Sequence, residues 1–433
     1  MTRRKKVSLL ATLLIVLGCL FFLLSWMTRS RKVTLHLGIH EGSSWDVPQG
    51  QDNRVLDDII KRFEKAHPGV MVVYESGIRK SDYSSWLSDK LVKGNQPDIF
   101  MVPENDFNLL ASIGSLKNLD RLSKKDIKAS DFYTVSYQAG HYRGSQYALP
   151  FESNPIMMCI NKDLLKKSGF KVPEANWTIS DFYKIARSAT KDTTNDGQLD
   201  QFGIVGYNWK NAMAAYGNQM FSGDGSQLHL NTNKTKSAMT LMMNLDALSG
   251  TQEVTSQDFD QGKVVFRPMT MAEYRTYKPY PYHIAKYSTF EWTCVPMPSA
   301  DSTLQSTQVE SSLFAMSSQT KHTDLAWELL KMLTYDEHSQ QELVKQSQGI
   351  SVLRSVMASE DTADILQKDN FGSDSLKVST VNHMMMDGFN HPKFKRFNTV
   401  YEEADYLLTK SLSEGTVDTD LALIEKKLSQ SLR

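Results

Sequence analysis

The chain has 433 residues with 49 basic and 49 acidic side chains, 40% hydrophobic residues and three cysteines. That length suffices for two or three domains around substantial cores, and so few cysteines exclude a disulfide-built scaffold. The charge is unevenly placed: the seven basic residues within 1–32 leave 42 basic against 49 acidic residues in the rest, and no basic run follows Lys32, which excludes the usual signature of a nucleic-acid partner.

Val7–Met27 is a run of 21 residues without a charge, long enough to span a bilayer. The cluster Arg3–Lys6 in front of it predicts an inside N-terminus and an outside body. Three fates fit this segment: retention as a signal anchor, lipidation at Cys19 within Val16-Leu17-Gly18-Cys19, or ordinary cleavage. Leu17 is bulky for a lipidation box, and Leu20–Leu24 prolong the apolar run, which favours the anchor. Each fate places Val33 onward outside the cytoplasm, and the favoured anchor holds it at the cell membrane.

Val33–Ile39 alternates, with Val33, Leu35, Leu37 and Ile39 on one face, and reads as a strand. A polar loop carrying Trp45 follows. Val55, Leu56, Ile59, Ile60 and Phe63 share one helical face before His67-Pro68-Gly69 ends the helix. Val70–Tyr74 is a second strand, Ser84–Val92 a helix and Asp98–Val102 a third strand. Strand alternating with helix predicts an α/β chain with a parallel sheet covered by helices. Tyr147–Ile160 reads as an extended run. Pro150 and Pro155 keep it out of a helix and, at those points, out of a central ladder position. It passes into a short helix, Asn161–Ser168, which Gly169 stops.

Thr178 or Ser180 then caps a helix with Phe182, Ile185 and Ala186 inward. In the loop Lys191–Gly203, Asp192, Thr194, Asp196, Gly197 and Asp200 are spaced like the first ligands of a calcium loop. Gly203 stands where the closing glutamate would be, so two readings stand: calcium on Asp192, Asp196 and Asp200, or a turn held by Asx hydrogen bonds. Cys159 and Cys294 fall in apolar strands, as a bridge or as two buried thiols. The last helix repeats apolar residues at 421, 424, 428 and 432. The chain carries no HExxH, GxSxG, Walker loop or paired CxxC. His36 and His40 share a strand face, but two imidazoles are too few for a zinc site. No catalytic residue and no cofactor is implied.

Tyr147-Ala148-Leu149-Pro150, the turn Asn161–Leu164 and the helix end Lys166–Gly169 together resemble the hinge segment of the extracellular solute-binding proteins of ABC importers, family 1, the sugar-binding group. FEKAHPGVMVVY (63–74), GNQPDIFMV (94–102), GSLKNLDRL (114–122), FDQGKVVFRPM (259–269), FEWTCVPMP (290–298) and GISVLRSV (349–356) resemble its elements in the same order. The resemblance covers nearly the whole body from Val33. It implies a two-lobed, type II periplasmic-binding-protein-like fold with three crossings near residues 151, 297 and 335. Lobe I would comprise 33–150 and 298–334, lobe II 151–297 and 335–433, behind an N-terminal segment of residues 1–32. It further implies a carbohydrate ligand held between the lobes and delivery to the transmembrane subunits of an ABC permease. A glycan-modifying enzyme and a sensing subunit without transport are the rival functions.

Open α/β sheets place ligands at strand-end loops. Sugar recognition needs aromatic faces for the ring and carboxylates or amides for its hydroxyls. The candidates are Trp45, Glu104 and Asp106 in the first lobe, Glu152 and Asn154 at the hinge, and Trp209, Tyr274 and Trp292 in the second. Tyr274 stands where the family resemblance usually has tryptophan.

Overall fold

The computed structural model describes residues 33–47, 53–103, 105–277, 290–301, 303–304, 306–368 and 376–432. The anchor candidate Val7–Met27, Cys19 and Glu104 lie outside the described residues.

The first alternating stretches form β1 (Val33–Gly38), β2 (Val70–Val73) and β3 (Ile99–Val102), with β1 parallel to both others. The helix Arg54–Ala66 between β1 and β2 buries Leu56, Ile59, Ile60 and Phe63, the face its spacing marks out. His141–Tyr142 (β4) and Ser145–Gln146 (β5) make a separate hairpin. The remaining strands are β6 (Ala148–Asn161), β7 (Phe202–Ile204), β8 (Val264–Thr270), β9 (Trp292–Val295) and β10 (Val309–Met316). They join β1–β3 in one eight-stranded sheet of order β2-β1-β3-β10-β6-β8-β7, with β9 also on β6.

β6, at 14 residues, organises this sheet. Up to Pro155 it pairs antiparallel with β10; from Ile156 it pairs with β8, and from Met158 with β9. It is a central strand despite its two prolines, which corrects the expectation from sequence. The ladder accommodates each missing N–H. Pro155 sits where β6 changes partner, and Pro150 sits beside a bulge between Ser312 and Leu313.

Successive side chains of the second half of β6 point to opposite faces and so feed two cores. Met157 and Cys159 join a core that begins at Leu35 and Leu37 beneath β1, whereas Met158 and Ile160 join a second core. The second core is built on helices Ile179–Ala189, Asn233–Leu248, Phe397–Glu414 and Val417–Ser431. Thr178 starts the first of these with a full capping box to Asp181.

Residues 335–386 do not pack as expected for the second lobe. Arg62, on the helix behind β1, donates to Asp336 Oδ1 at 3.0 Å and Ser339 Oγ at 2.5 Å. The Tyr133 N–H reaches the Val352 carbonyl at 3.0 Å, and Arg354 Nε reaches the Phe132 carbonyl at 2.9 Å. These bonds fasten the segment to the first core, and only residues from Phe394 onward enter the second. Among the described residues no helix is long and apolar enough to cross a membrane.

Candidate functional site

A narrow hollow lies between the helix Trp209–Ala215 and the segment 389–392, and the core residues that line it, Trp209, Met213, Met220, Phe221 and Phe397, all belong to the second core. Asn208 caps the helix Trp209–Ala215, accepting from the Lys210 N–H at 3.0 Å and the Asn211 N–H at 3.2 Å. This cap sets Trp209 at the helix start, on the wall of the hollow. The Trp209 Nε1–H donates to Asp405 Oδ1 at 2.7 Å, and Lys210 Nζ bonds Asp405 Oδ2 at 3.0 Å. The Lys210 ammonium lies 5.8 Å from the Trp209 ring and 5.3 Å from the Tyr401 ring. Tyr401 stacks on Phe397 at 5.1 Å. One turn apart on the helix Phe397–Glu414, Tyr401 and Asp405 thus fix one ring each.

The opposite wall is the segment 389–392. Its backbone is held by Phe389, whose N–H donates to the Thr307 carbonyl at 3.0 Å and whose carbonyl accepts from the Val309 N–H at 3.1 Å. Asn390 Nδ2 donates to the Val135 carbonyl of the first lobe. His391 packs on Tyr401 at 4.8 Å. Burial, with Lys393 and Lys210 nearby, pushes its imidazole down to about 4, so it is neutral at pH 7. Burial also pushes the Tyr401 phenol up, with Asp405 and Glu310 adding to the shift. The hollow is lined by the rings of Trp209, itself 4% exposed, and Tyr401, by Lys210, and by Asn218, Gln219 and Asn390, with Asn218 Nδ2 already donating to Thr235 Oγ1 at 2.6 Å and Asn390 Nδ2 to the Val135 carbonyl.

Of the seven described residues among those expected from sequence, Trp209 alone lines this hollow. Trp45 and Glu152 come together elsewhere. Glu152 is 2% exposed and accepts from the Gly349 N–H at 2.6 Å and from the Ser347 hydroxyl. Burial raises its pKa more than these donors, with Trp45 and Ser44, lower it. The Trp45 indole N–H, buried beside this carboxyl, completes no hydrogen bond of its own. A Cβ on Gly349 would fall 2.5 Å from the Glu152 side chain, so only glycine allows the loop this close.

Asn154 is engaged in structure: its Oδ1 accepts from the Ala272 N–H at 2.9 Å, at the start of the helix Met271–Thr276. Tyr274 and Trp292 pack against each other at 5.5 Å within an aromatic cluster with Tyr277 and Phe259. Both are 4% exposed. Asp106 Oδ2 accepts from Ser84 Oγ at 2.5 Å, pinning the loop after β3 to the helix Lys80–Val92.

The aspartates of the loop 191–203 are spent on their own backbone. Asp192 accepts from the Asn195 N–H at 2.7 Å and the Gly197 N–H at 2.8 Å, Asp196 from Gln198, and Asp200 from Thr193. Among the described residues no group of three His, Cys, Asp or Glu side chains is placed to hold a metal. The residues that sequence reasoning missed are Lys210, Asn390, His391, Tyr401 and Asp405. One signal was available: Phe389–Tyr401 carries four aromatic rings and a His-Pro step between two helices.

The chain resembles solved sugar-binding proteins over nearly its whole length. The sugar-binding protein MalE from Xanthomonas citri superposes with a TM-score of 0.76 at 14% identity, over 92% of this chain and 97% of that one. An ABC substrate-binding protein from Listeria monocytogenes in complex with cycloalternan gives 0.70 at 18% identity, over 93% of this chain and 99% of that one. At such identities the likeness establishes the α/β, two-lobed fold. Among curated sequences, a maltotriose-binding protein of Pyrococcus abyssi (strain GE5 / Orsay) is 24% identical over 139 residues, 32% of this chain. The chain matches 30% of that relative's length and 41% of a putative binding protein from Brucella abortus (strain 2308). Residues 58–369 match the family model described as bacterial extracellular solute-binding protein. The match takes in well over half of the 433 residues, and the chain belongs to the family of bacterial extracellular solute-binding proteins.

Proposed function

We propose that this protein is the substrate-binding component of an ABC importer, capturing a sugar or short oligosaccharide between its lobes and delivering it to membrane permease subunits. The observation that carries this reading is the wall of Trp209 and Tyr401, fixed by Asp405 and Lys210, facing the segment 389–392, whose Asn390 bonds the Val135 carbonyl of the first core. Aromatic faces suit the C–H faces of a pyranose, and amides and charged groups suit its hydroxyls. The names of the relatives, maltotriose-binding and cycloalternan-bound among them, support the same ligand class.

The lobe division we favour rests on the contacts that Arg62, Phe132 and Tyr133 make with residues 336–354. One lobe takes residues 33–150 with 309–386, and the other takes 156–300 with 394–432. Ligand touching both would select the closed state. The body faces outward, with Val7–Met27 kept as its membrane anchor, a reading that rests on the length of that run and its Arg3–Lys6 flank. Intact mass of the membrane-extracted protein checks the anchor: retention leaves residues 1–32 in the mass, and a chain starting at a diacylated Cys19 contradicts it.

The ligand site is tested by Trp209→Ala and Trp45→Ala, with calorimetric titration of malto-oligosaccharides and a denaturant midpoint for each. Losing a stacking ring should cost on the order of 1–3 kcal/mol, about ten- to a hundredfold in affinity. A tryptophan that only packs should instead cost about 3–5 kcal/mol of stability. Unchanged affinity with a large stability loss for Trp209→Ala would remove the hollow as the binding site.

A further inference from the structure

Cys159 and Cys294 stand directly opposite each other on the antiparallel strands β6 and β9. Both thiols are free in this structure, and both are buried, at 0% and 6% exposure. The hydrogen-bond alternation of the ladder fixes the kind of pair they make. The Lys162 N–H donates to the Glu291 carbonyl at 2.8 Å, at the next position of the same register. Position 162/291 is therefore a hydrogen-bonded pair, 161/292 is not, 160/293 is, and 159/294 is not. In a non-hydrogen-bonded pair the Cα atoms come to about 4.5 Å and the side chains lean together. That separation falls inside the range of about 4.4–6.8 Å that a disulfide spans without backbone movement.

The geometry points to a structural disulfide between Cys159 and Cys294, formed once the chain is outside the cytoplasm. The oxidant is an external disulfide such as oxidised glutathione. The thiolate of one cysteine attacks a glutathione sulfur, giving a mixed disulfide and releasing one glutathione thiolate. The second cysteine thiolate then attacks the protein sulfur, closing the Cys159–Cys294 bond and releasing the other. The two protons given up by the cysteines end on the two glutathiones, which carry away the two electrons as reduced thiols. In the folded chain, burial and the neighbouring Cys159 push the Cys294 thiol up, which leaves little thiolate to react. Exchange therefore occurs while β9 is docking, before the pair is covered.

The bond would join β6 to β9 at the base of the second lobe, next to the chain's return toward β10. It closes a loop from 159 to 294, the long-loop case in which a crosslink restricts the unfolded chain most.

The test uses the full chain, refolded from reductant and urea in a buffer containing oxidised and reduced glutathione. It is then unfolded in acid, labelled with maleimide, digested and mapped by mass. The expected result is unlabelled Cys159 and Cys294 in one linked peptide pair that separates on reduction. Maleimide on both cysteines in the refolded chain would overturn the proposal. If refolding yield is poor, chain exported by its own cells and quenched in acid gives the same readout with the same two outcomes. A second measurement guards against adventitious oxidation of unfolded chain. The denaturant midpoint should fall on adding reductant in the native sequence and stay unchanged in the C159S/C294S double variant. Equal response of the two proteins to reductant would also count against the bond.

Discussion

His391 stacks on Tyr401 and Phe397 while Lys393 and Lys210 bear on it, and together with burial they depress its pKa to about 4. The folded value lies below the unfolded one of 6.5. As pH falls through 6.5 the unfolded chain takes up the proton first, so stability drops between pH 6.5 and pH 4 and levels off below. Over that window the loss amounts to roughly 3 kcal/mol. Glu152 works in the opposite sense, because its folded pKa is raised and it favours the fold as pH falls. The expected outcome is a denaturant midpoint that falls less between pH 7 and pH 4 in His391→Gln than in the native sequence. An identical pH profile for the two proteins would show that His391 is solvated. The same residue-scale bookkeeping bears on Glu152 and Asn154 as ligand contacts. Glu152 Oε1 already serves the loop 347–349 and Asn154 Oδ1 the helix Met271–Thr276, so a sugar that took either oxygen would have to displace a buried partner.

At the scale of elements, the loop 191–203 shows why a spacing motif is not a site. β7 packs so tightly on the helix Ile179–Ala189 that a Cβ on Gly203 would lie 2.3 Å from the Ala186 carbonyl oxygen. No carboxylate can stand at the position where a calcium loop closes, and Asp192, Asp196 and Asp200 already accept backbone or hydroxyl donors. Chelator should therefore leave the thermal midpoint unchanged, whereas Gly203→Ala should lower stability by about 1–3 kcal/mol through overpacking. A chelator-induced drop reversed by calcium would contradict this. The strands and the capped helices were legible because their signals are local: Leu35 and Leu37 alternate, and Thr178 stands three residues before Asp181. The wall of the hollow was not. Trp209 and Asp405 are 196 residues apart, and nothing local at Asp405 says that its carboxylate holds an indole. Nor does any local feature of Asp336 announce Arg62, 274 residues away, so the contacts of the segment 335–386 with the first core have no local signal.

At the scale of the whole molecule, the two lobes touch through side chains as well as through the sheet. The loop after β3 contributes the Asn105 carbonyl, which accepts from Asn398 Nδ2, and the Phe107 ring, 5.7 Å from the Lys393 ammonium. Asn398 and Lys393 flank Phe394 and Phe397 of the second core, so these contacts exist only while the lobes are together. They lie outside the hollow and need make no contact with ligand. Their role is then confined to the open–closed equilibrium, and apparent affinity scales with the fraction of chain that is closed. Lys393 is half-buried and the Phe107 ring is buried; a cation–π contact contributes at least about 0.5–1 kcal/mol, equivalent to a factor of roughly two to five in that equilibrium. Lys393→Ala should therefore weaken malto-oligosaccharide binding by about two- to fivefold. It should also enlarge the radius of gyration of the unliganded chain in small-angle scattering, while saturating ligand restores the native value. His391 complicates the substitution in a useful way: removing the neighbouring ammonium should let its imidazole titrate at a higher pH. That change can be followed by NMR in the same variant. A Lys393→Ala protein with native affinity and native dimensions would mean that this edge contact does not govern closure.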